Sequence, residues 1–200
     1  MSLLLAVSCG MASARATTVV PPAFDALVNE SDYIVRAVVK NVSAEKRASA
    51  RGVKIVTRVE LDLLEVVAGS PPANVTLELL GGTVGEETLN VRGMPQFQVG
   101  DEDILFVRGN GRTICPLYGM MHGRYAIERD AASGRRYVVR SDGMPLHDTA
   151  QISTPLAEHD HDGPETMRQR SAASAALGPT DFIRHIKSAL RPAGDRNREK

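Results

Sequence analysis

Three consecutive carboxylates, Asp101, Glu102 and Asp103, stand directly before the apolar run 104–107. Carboxylates grouped in this way can bind a divalent cation or move a proton, provided that the fold supplies a further ligand or raises a pKa. Gly100 precedes them. A glycine followed by an aspartate between apolar runs is typical of a turn, because Gly accepts positive φ and Asp accepts hydrogen bonds from nearby backbone N–H groups. The pattern favours a turn over a site.

A second cluster combines imidazole and carboxylate groups in the sequence EHDHDG. The candidate metal ligands are His159, Asp160 and His161, since these groups suit zinc and i, i+2 spacing can bring two rings to one side of an extended segment. The surrounding stretch is poor in residues that pack, so it offers little to orient the ligating rings. The cluster is a weak candidate metal site, with a solvated linker as the alternative.

Cys115 is the candidate nucleophile. It lies between Ile114 and Pro116 in an apolar stretch, which favours a buried thiol that acts as a small hydrophobic group. The sequence motifs of zinc proteases, α/β-hydrolases, phosphate-binding loops and dithiol oxidoreductases are absent. The sequence therefore predicts no catalytic residue and no cofactor. A hydrolase that uses Cys115 or the carboxylates at 101–103 remains a minor alternative.

The composition is that of a globular protein without a charge preference. Of its 200 residues, 42% are hydrophobic and 4% are aromatic, and Trp is absent, so Val, Leu and Ile are expected to form the core. The 24 basic and 24 acidic residues balance. A balanced chain has no net field to attract nucleic acid, so no nucleic-acid partner is expected. No stretch approaches the roughly 20 apolar residues of a membrane-spanning helix.

The N-terminal residues have the pattern of a secretory signal. An apolar stretch at 3–7 leads to the tripeptide ARA, a small-x-small sequence that predicts a signal peptide over residues 1–16 and a mature start at Thr17. The expected location is the periplasm or the outside of the cell. Lipidation of Cys9 is the alternative interpretation. Cleavage would leave Cys115 as the single cysteine, which excludes an internal disulfide.

Alternating hydrophobicity predicts a β-rich domain over residues 17–143. Residues 33–42 and 53–63 place apolar side chains at every second position, as a strand with one buried face does. The polar stretch between them predicts an exposed loop, and Asn110-Gly111 predicts a two-residue hairpin. Short strands separated by turn residues continue to residue 143. The expected fold class is therefore mainly β, an antiparallel OB-like β-barrel with a C-terminal amphipathic α-helix.

The composition changes at residue 144. Residues 144–179 are rich in Ser, Ala, Pro and charged groups, and they predict a mobile linker. Residues 180–200 combine a helix, with apolar side chains at three- to four-residue spacing, and a charged tail. The helix either docks on the barrel or offers its apolar face to a protein partner of unknown identity. The candidate partner contacts are Phe182, Ile186 and Leu190.

Several segments together resemble uncharacterised exported bacterial proteins. These segments are LVNESDYIVRAVVKNV, TRVELDLLEVVAG, GMPQFQVGDEDILFV, LYGMMHGRYAIERD and TDFIRHIKSAL. Some relatives of that group carry a matrixin-type protease domain after the β module, and the layout is distantly similar to the OB-like barrel of the netrin and tissue-inhibitor-of-metalloproteinase module. The resemblance implies the fold and a turn at Gly100-Asp101. The resemblance does not imply the inhibitors' activity, because this chain lacks their cysteine frame. It does not imply proteolysis either, because the chain lacks a zinc-binding helix motif.

The expected function is an exported, non-catalytic binding or interaction module. A metal-binding or metal-responsive envelope protein that uses His159 and His161 is the first alternative, and a hydrolase with an unrecognised site is the second. The fold by itself supplies neither the ligand nor the partner.

Overall fold

An antiparallel β-sheet forms the frame of the protein in the computed structural model, which describes residues 20–49, 52–156 and 174–191. No helix in these ranges is long and apolar enough to cross a membrane. The helices and strands are α1 (Phe24–Asn29), β1 (Tyr33–Ser49), β2 (Gly52–Gly69), β3 (Val75–Leu80), β4 (Gly82–Val84), β5 (Glu87–Leu89), β6 (Glu102–Val107), β7 (Arg124–Arg129), β8 (Arg136–Val139) and α2 (Pro179–Ala189), with 3-10 turns at Met120–Gly123 and Thr149–Ser153.

The β1–β2 hairpin is the centre of the sheet. β3 adds to β2 on one side, and β6, β7 and β8 follow β1 on the other, so the strand order is β3-β2-β1-β6-β7-β8. β4 and β5 form a separate two-stranded hairpin that contacts β1 and β2. The strands predicted at 33–42 and 53–63 are confirmed, and so is the mainly β class with a C-terminal helix.

The polar stretch 43–52 is not the exposed loop that its composition predicted. Its described residues lie in β1 and at the start of β2, where they pair along the hairpin. Ion pairs join this end of the hairpin to neighbouring strands: Lys46 pairs with Glu87 at 2.5 Å, and Arg47 pairs with Glu78 at 2.8 Å. Polar groups occupy both faces here, so no alternation of hydrophobicity marks the strand.

The sheet separates two clusters of buried side chains, because successive residues of a strand point to opposite faces. The helical core lies on the face covered by α1 and α2, and the sheet core lies on the other face. The helical core consists of Leu27, Val28, Ile34, Val67, Ile104, Phe106, Tyr125, Val138, Leu146, Ile152, Phe182, Ile183 and Ile186. The sheet core consists of Tyr33, Val35, Ala37, Val39, Val59, Leu61, Val75, Leu77, Leu79, Leu105, Val107, Cys115 and Leu117.

The sheet is open, and this corrects the closure of the predicted OB-like barrel: β3 and β8 do not pair with each other. At the β3 edge, the side chain of Asn110 accepts the N–H of Glu78 at 3.2 Å and donates to the carbonyl of Thr76 at 2.8 Å. The N–H of Leu80 donates to the carbonyl of Ile114 at 2.8 Å. The Asn-Gly pair therefore caps a sheet edge and does not form the predicted two-residue hairpin.

The β8 edge is covered by residues that were predicted to be a mobile linker. The N–H of Val138 donates to the carbonyl of Leu177 at 2.9 Å, and the carbonyl of Val138 accepts the N–H of Leu146 at 2.8 Å. Leu146 and Ile152 are buried in the helical core. The linker prediction is corrected for the described part of 144–179, because a few apolar anchors and edge hydrogen bonds fix a segment whose average composition is polar.

Helix α2 docks on the sheet. Phe182 and Ile186 are fully buried, and Leu190 packs against the same core. The ring centroid of Phe182 lies 5.0 Å from that of Tyr125. At the end of α2, Asn29 donates from Nδ2 to the carbonyl of Ala189 at 3.0 Å. Phe182 and Ile186 are thus core residues and offer no surface to a partner, which corrects their proposed role as partner contacts.

Replacing Phe182 by Ala is expected to lower the free energy of unfolding by about 3–5 kcal/mol, because the change leaves a cavity between α2 and the sheet. Urea denaturation of the full chain, followed by circular dichroism, measures the loss. The control is Arg184→Ala on the exposed face of the same helix, which is expected to change stability by no more than about 0.5 kcal/mol. Equal effects of the two substitutions would show that α2 does not belong to the core.

Candidate functional site

The predicted turn before β6 is confirmed. Gly100 has a φ of +94°, a value that L side chains rarely adopt. The carboxylate of Asp101 accepts the N–H of Gln98 at 2.8 Å. The N–H of Gly100 and the carbonyl of Asp101 bond to the backbone of Val39 at 2.9 and 2.8 Å, so the turn is fixed to β1. The carboxylates of the turn and of β6 also have arginine partners.

Glu102 is held between two arginines that come from different strands. Nε of Arg36 on β1 donates to its carboxylate at 2.7 Å, and Arg136 on β8 pairs with the other oxygen. Burial disfavours the charged form, but the hydrogen bonds from Arg136 and Arg36 outweigh it and lower the pKa of Glu102. Glu102 is therefore a charged group that ties β1, β6 and β8 together.

Asp103 is completely buried on the opposite face of β6. Its Oδ1 accepts from Nε of Arg124 at 2.9 Å, while Oδ2 has no hydrogen-bond partner among the described residues. Burial raises the pKa of Asp103 from 3.8 to about 6, against the attraction of Arg124; the neighbouring charges of Asp101 and Glu102 add to the rise. Two adjacent carboxylates thus have pKa values that move in opposite directions.

Arg124 joins the carboxylates to the loop that precedes them. Its Nη2 donates to Asp101 at 2.7 Å, and its Nη1 donates to the carbonyl of Gln96. Its guanidinium carbon lies 4.5 Å from the ring centroid of Phe97, which packs against the sheet core. We call Arg124 with Asp101, Asp103, Gln96 and Phe97 the Arg124 clasp. A divalent cation would have to displace this guanidinium, so the arrangement is suited to holding the loop and not to holding a metal.

The candidate metal ligands His159, Asp160 and His161 lie outside the described residues, and their metal binding stays a prediction. Within the described ranges, no group of three or more His, Cys, Asp or Glu side chains could hold a metal ion.

The thiol of Cys115 is buried in the sheet core, with 6% of the residue exposed. Burial raises its pKa from 9.0 to about 11. Because the thiolate is the nucleophilic form, Cys115 is almost entirely an unreactive thiol at neutral pH. This environment is the opposite of the exposed, electropositive surroundings in which cysteine nucleophiles occur.

A groove of about 530 Å³ opens beside the carboxylate turn, between β6, β7 and β8. Arginines dominate its lining. Arg124 and Arg136 pair with the carboxylates, Arg140 donates to the carbonyls of Thr154 and Pro155 at 2.8 and 3.1 Å, and Arg129 donates to the carbonyl of Gly134 at 3.1 Å. Each of these arginines thus makes contacts within the fold.

A second groove, of about 590 Å³, lies between the tip of the β1–β2 hairpin, β3 and the loop at 111–114. We call it the cationic groove. Its charged lining residues are Arg47, Lys54, Arg112 and Glu78, and its apolar side chains include Val56, Leu80 and Ile114.

Neither the Arg124 clasp nor the cationic groove could be recognised from the sequence, because their residues are far apart in the chain. Asp103 meets Arg124 through the β6–β7 register, which pairs Asp103 with Ala126. Lys54 and Arg58 on the polar face of β2 were a visible signal, since they alternate with the buried positions. Lys54 and Arg112 line the same groove only because the β6–β7 loop docks on the edge of β3.

No family model matches the sequence, and no curated protein matches it. The function is therefore argued from the residues and their geometry.

Stability is expected to respond to pH with opposite signs at two neighbouring carboxylates. Between about pH 4 and pH 6, the folded chain keeps a proton on Asp103 that the unfolded chain has lost. The stability that Asp103 contributes is then lost as the pH rises through this window, by about 3 kcal/mol in total. Glu102, with a lowered pKa, contributes stability above the ordinary Glu pKa that is lost as the pH falls.

Urea denaturation at pH 4, 5, 6 and 7 tests both signs with Asp103→Asn and Glu102→Gln. The free energy of unfolding of the wild type minus that of Asp103→Asn should fall with rising pH. The corresponding difference for Glu102→Gln should rise up to about pH 5 and then level off. Differences that follow pH in the same direction for both variants would contradict the assignment.

Proposed function

We propose that the protein is a binding module that performs no covalent chemistry. The observation that carries this proposal is that the candidate catalytic groups among the described residues, the carboxylates at 101–103 and Cys115, are engaged in holding the fold. The carboxylates at 101–103 pair with Arg36, Arg124 and Arg136, and the thiol of Cys115 is buried. A catalytic carboxylate or thiol has to reach the reacting atoms. The cationic groove, in contrast, is open and lined by exposed basic and apolar side chains.

Export is the second part of the proposal. It is supported by the small-x-small tripeptide before Thr17 and by the resemblance to exported bacterial proteins with an OB-like module. Burial of Cys115 agrees with this location, because a shielded thiol is protected from oxidation and from pairing with other cysteines in an oxidising compartment.

The exported protein is expected to begin at Thr17. Mass spectrometry of the chain recovered from the periplasm and medium of a bacterial host measures this terminus. Ala16→Leu is expected to block cleavage at this bond, because signal peptidase requires a small residue there, whereas Arg15→Lys changes the unconstrained middle position and serves as the control. A chain that stays in the cytoplasm with its N-terminus intact would contradict export.

A bound molecule is expected to be recovered chemically unchanged. Native mass spectrometry of the full chain, purified from its own exported fraction, identifies what co-purifies; denaturation releases it. After prolonged incubation with fresh protein, the amount of this ligand should be constant, and Cys115→Ala should bind it with unchanged affinity. Turnover of the ligand, an adduct on Cys115, or protein that carries no ligand and no partner would contradict the proposed function.

A further inference from the structure

The cationic groove is built by three parts of the chain that are fixed to one another. Its first wall is the β1–β2 hairpin with Arg47 and Lys54, and its floor is the outer face of β2 and β3. The opposite wall is the loop at 111–114, which the hydrogen bond from Leu80 N–H to Ile114 O and the side chain of Asn110 hold against β3. Backbone hydrogen bonds therefore set the width of the groove, and a ligand would enter a preformed site.

One carboxylate in the groove faces several cations. Arg47 binds Glu78 through both guanidinium nitrogens, at 2.8 and 3.0 Å, and its Nη2 also pairs with Glu45 at 2.6 Å, so that two carboxylates hold it in place. Lys54 and Arg58 also act on Glu78, whose pKa is lowered by Arg47 first and then by these two charges. Neither Lys54 nor Arg58 forms an ion pair with another described residue. Lys54 is thus the cation of this wall that a ligand can reach without displacing a carboxylate.

The opposite wall adds a cation that a ligand can recruit. Arg112 has 74% of its side chain exposed, and its guanidinium pairs with Asp32 at 3.1 Å. An exposed pair of this kind contributes little to stability, so an anion in the groove can compete for Arg112. Guanidinium and ammonium groups on both walls suit a phosphate, sulfate or carboxylate head group.

Apolar side chains lie directly beside these charges. Ile114 is 56% exposed, so its side chain offers apolar surface to a ligand in the groove. Leu80 is half-buried and continues the apolar surface along the floor. The volume of about 590 Å³ falls within the range of small-molecule sites. Since none of the described lining residues is aromatic, the groove offers no stacking platform of the kind that single-stranded nucleic acids use.

We propose that the cationic groove binds a small amphipathic anion, whose acidic head group lies between Lys54 and Arg112 and whose hydrocarbon part lies on Ile114 and Leu80. The cations of the two walls bind the acidic head group. The hydrocarbon part covers the exposed side chain of Ile114, which a simple anion would leave in contact with water. This inference rests on the proposed binding function and assigns its site and ligand class.

Dodecyl phosphate, kept below its critical micelle concentration, is the probe. Isothermal titration calorimetry of the full chain is expected to show saturable binding with one site per chain. Inorganic phosphate carries the head group alone and a neutral dodecyl glycoside carries the chain alone, and each is expected to bind at least about tenfold more weakly. Binding of dodecyl phosphate is expected to weaken with added salt, because surface charges are screened.

Three variants locate the site. Lys54→Ala combined with Arg112→Ala is expected to weaken dodecyl phosphate binding at least about tenfold, and Ile114→Ser to weaken it while leaving the weak binding of inorganic phosphate unchanged. Arg129→Ala removes an exposed arginine from the other groove and is the matched control, with no expected effect. All four substituted positions are exposed, so the variants are expected to fold, and urea denaturation verifies this.

Equal affinity for inorganic and dodecyl phosphate would overturn the proposal and leave a simple anion site. Affinity that Lys54→Ala with Arg112→Ala does not change, or that Arg129→Ala lowers as much, would overturn the location. A ligand that co-purifies with the exported protein while dodecyl phosphate fails to bind would refute this inference and leave the binding function standing. Turnover of the co-purifying ligand would refute the binding function instead.

Discussion

Unpaired backbone groups at the edge of a sheet have to find partners, and in this protein the chain's own loops supply them. Asn110 and Ile114 bond the edge of β3, while Leu146 and Leu177 bond the edge of β8. The sheet stays open as a result. The same bonds place the wall of the cationic groove on one side and lead the chain into α2 on the other, so the arrangement of both ends of the molecule depends on them.

The carboxylates at 101–103 are adjacent in the sequence, but the geometry of the strand places them in different surroundings. Because successive residues of a strand point to opposite faces, Glu102 and Asp103 lie on opposite faces of β6, and each pairs with arginine from another strand. Glu102 has two arginine partners, and its pKa is lowered. Asp103 has one arginine partner and is completely buried, so desolvation raises its pKa. A buried ion pair of this kind fixes a geometry more than it stabilises a fold.

The sequence predicts this structure well where a single face of an element is buried. The strands at 33–42 and 53–63 and the amphipathic helix were recognisable for that reason. Prediction failed at 43–52, where both faces are polar, and at 144–156, where Leu146 and Ile152 anchor a polar segment. It failed for the candidate sites as well: the register that brings Asp103 to Arg124, and the docking that brings Arg112 near Lys54, are long-range consequences of the fold.

The contact between α1 and α2 also constrains when the protein can fold. Asn29 and Ala189, which bond at the end of α2, are 160 residues apart in the sequence. The helical core joins Leu27 to Phe182 across nearly the same span, and such distant contacts form late because closing long loops costs entropy. During synthesis, this core cannot be completed until α2 has left the ribosome. Under the proposed export, this delay would keep the chain unfolded for longer before it reaches a secretion channel.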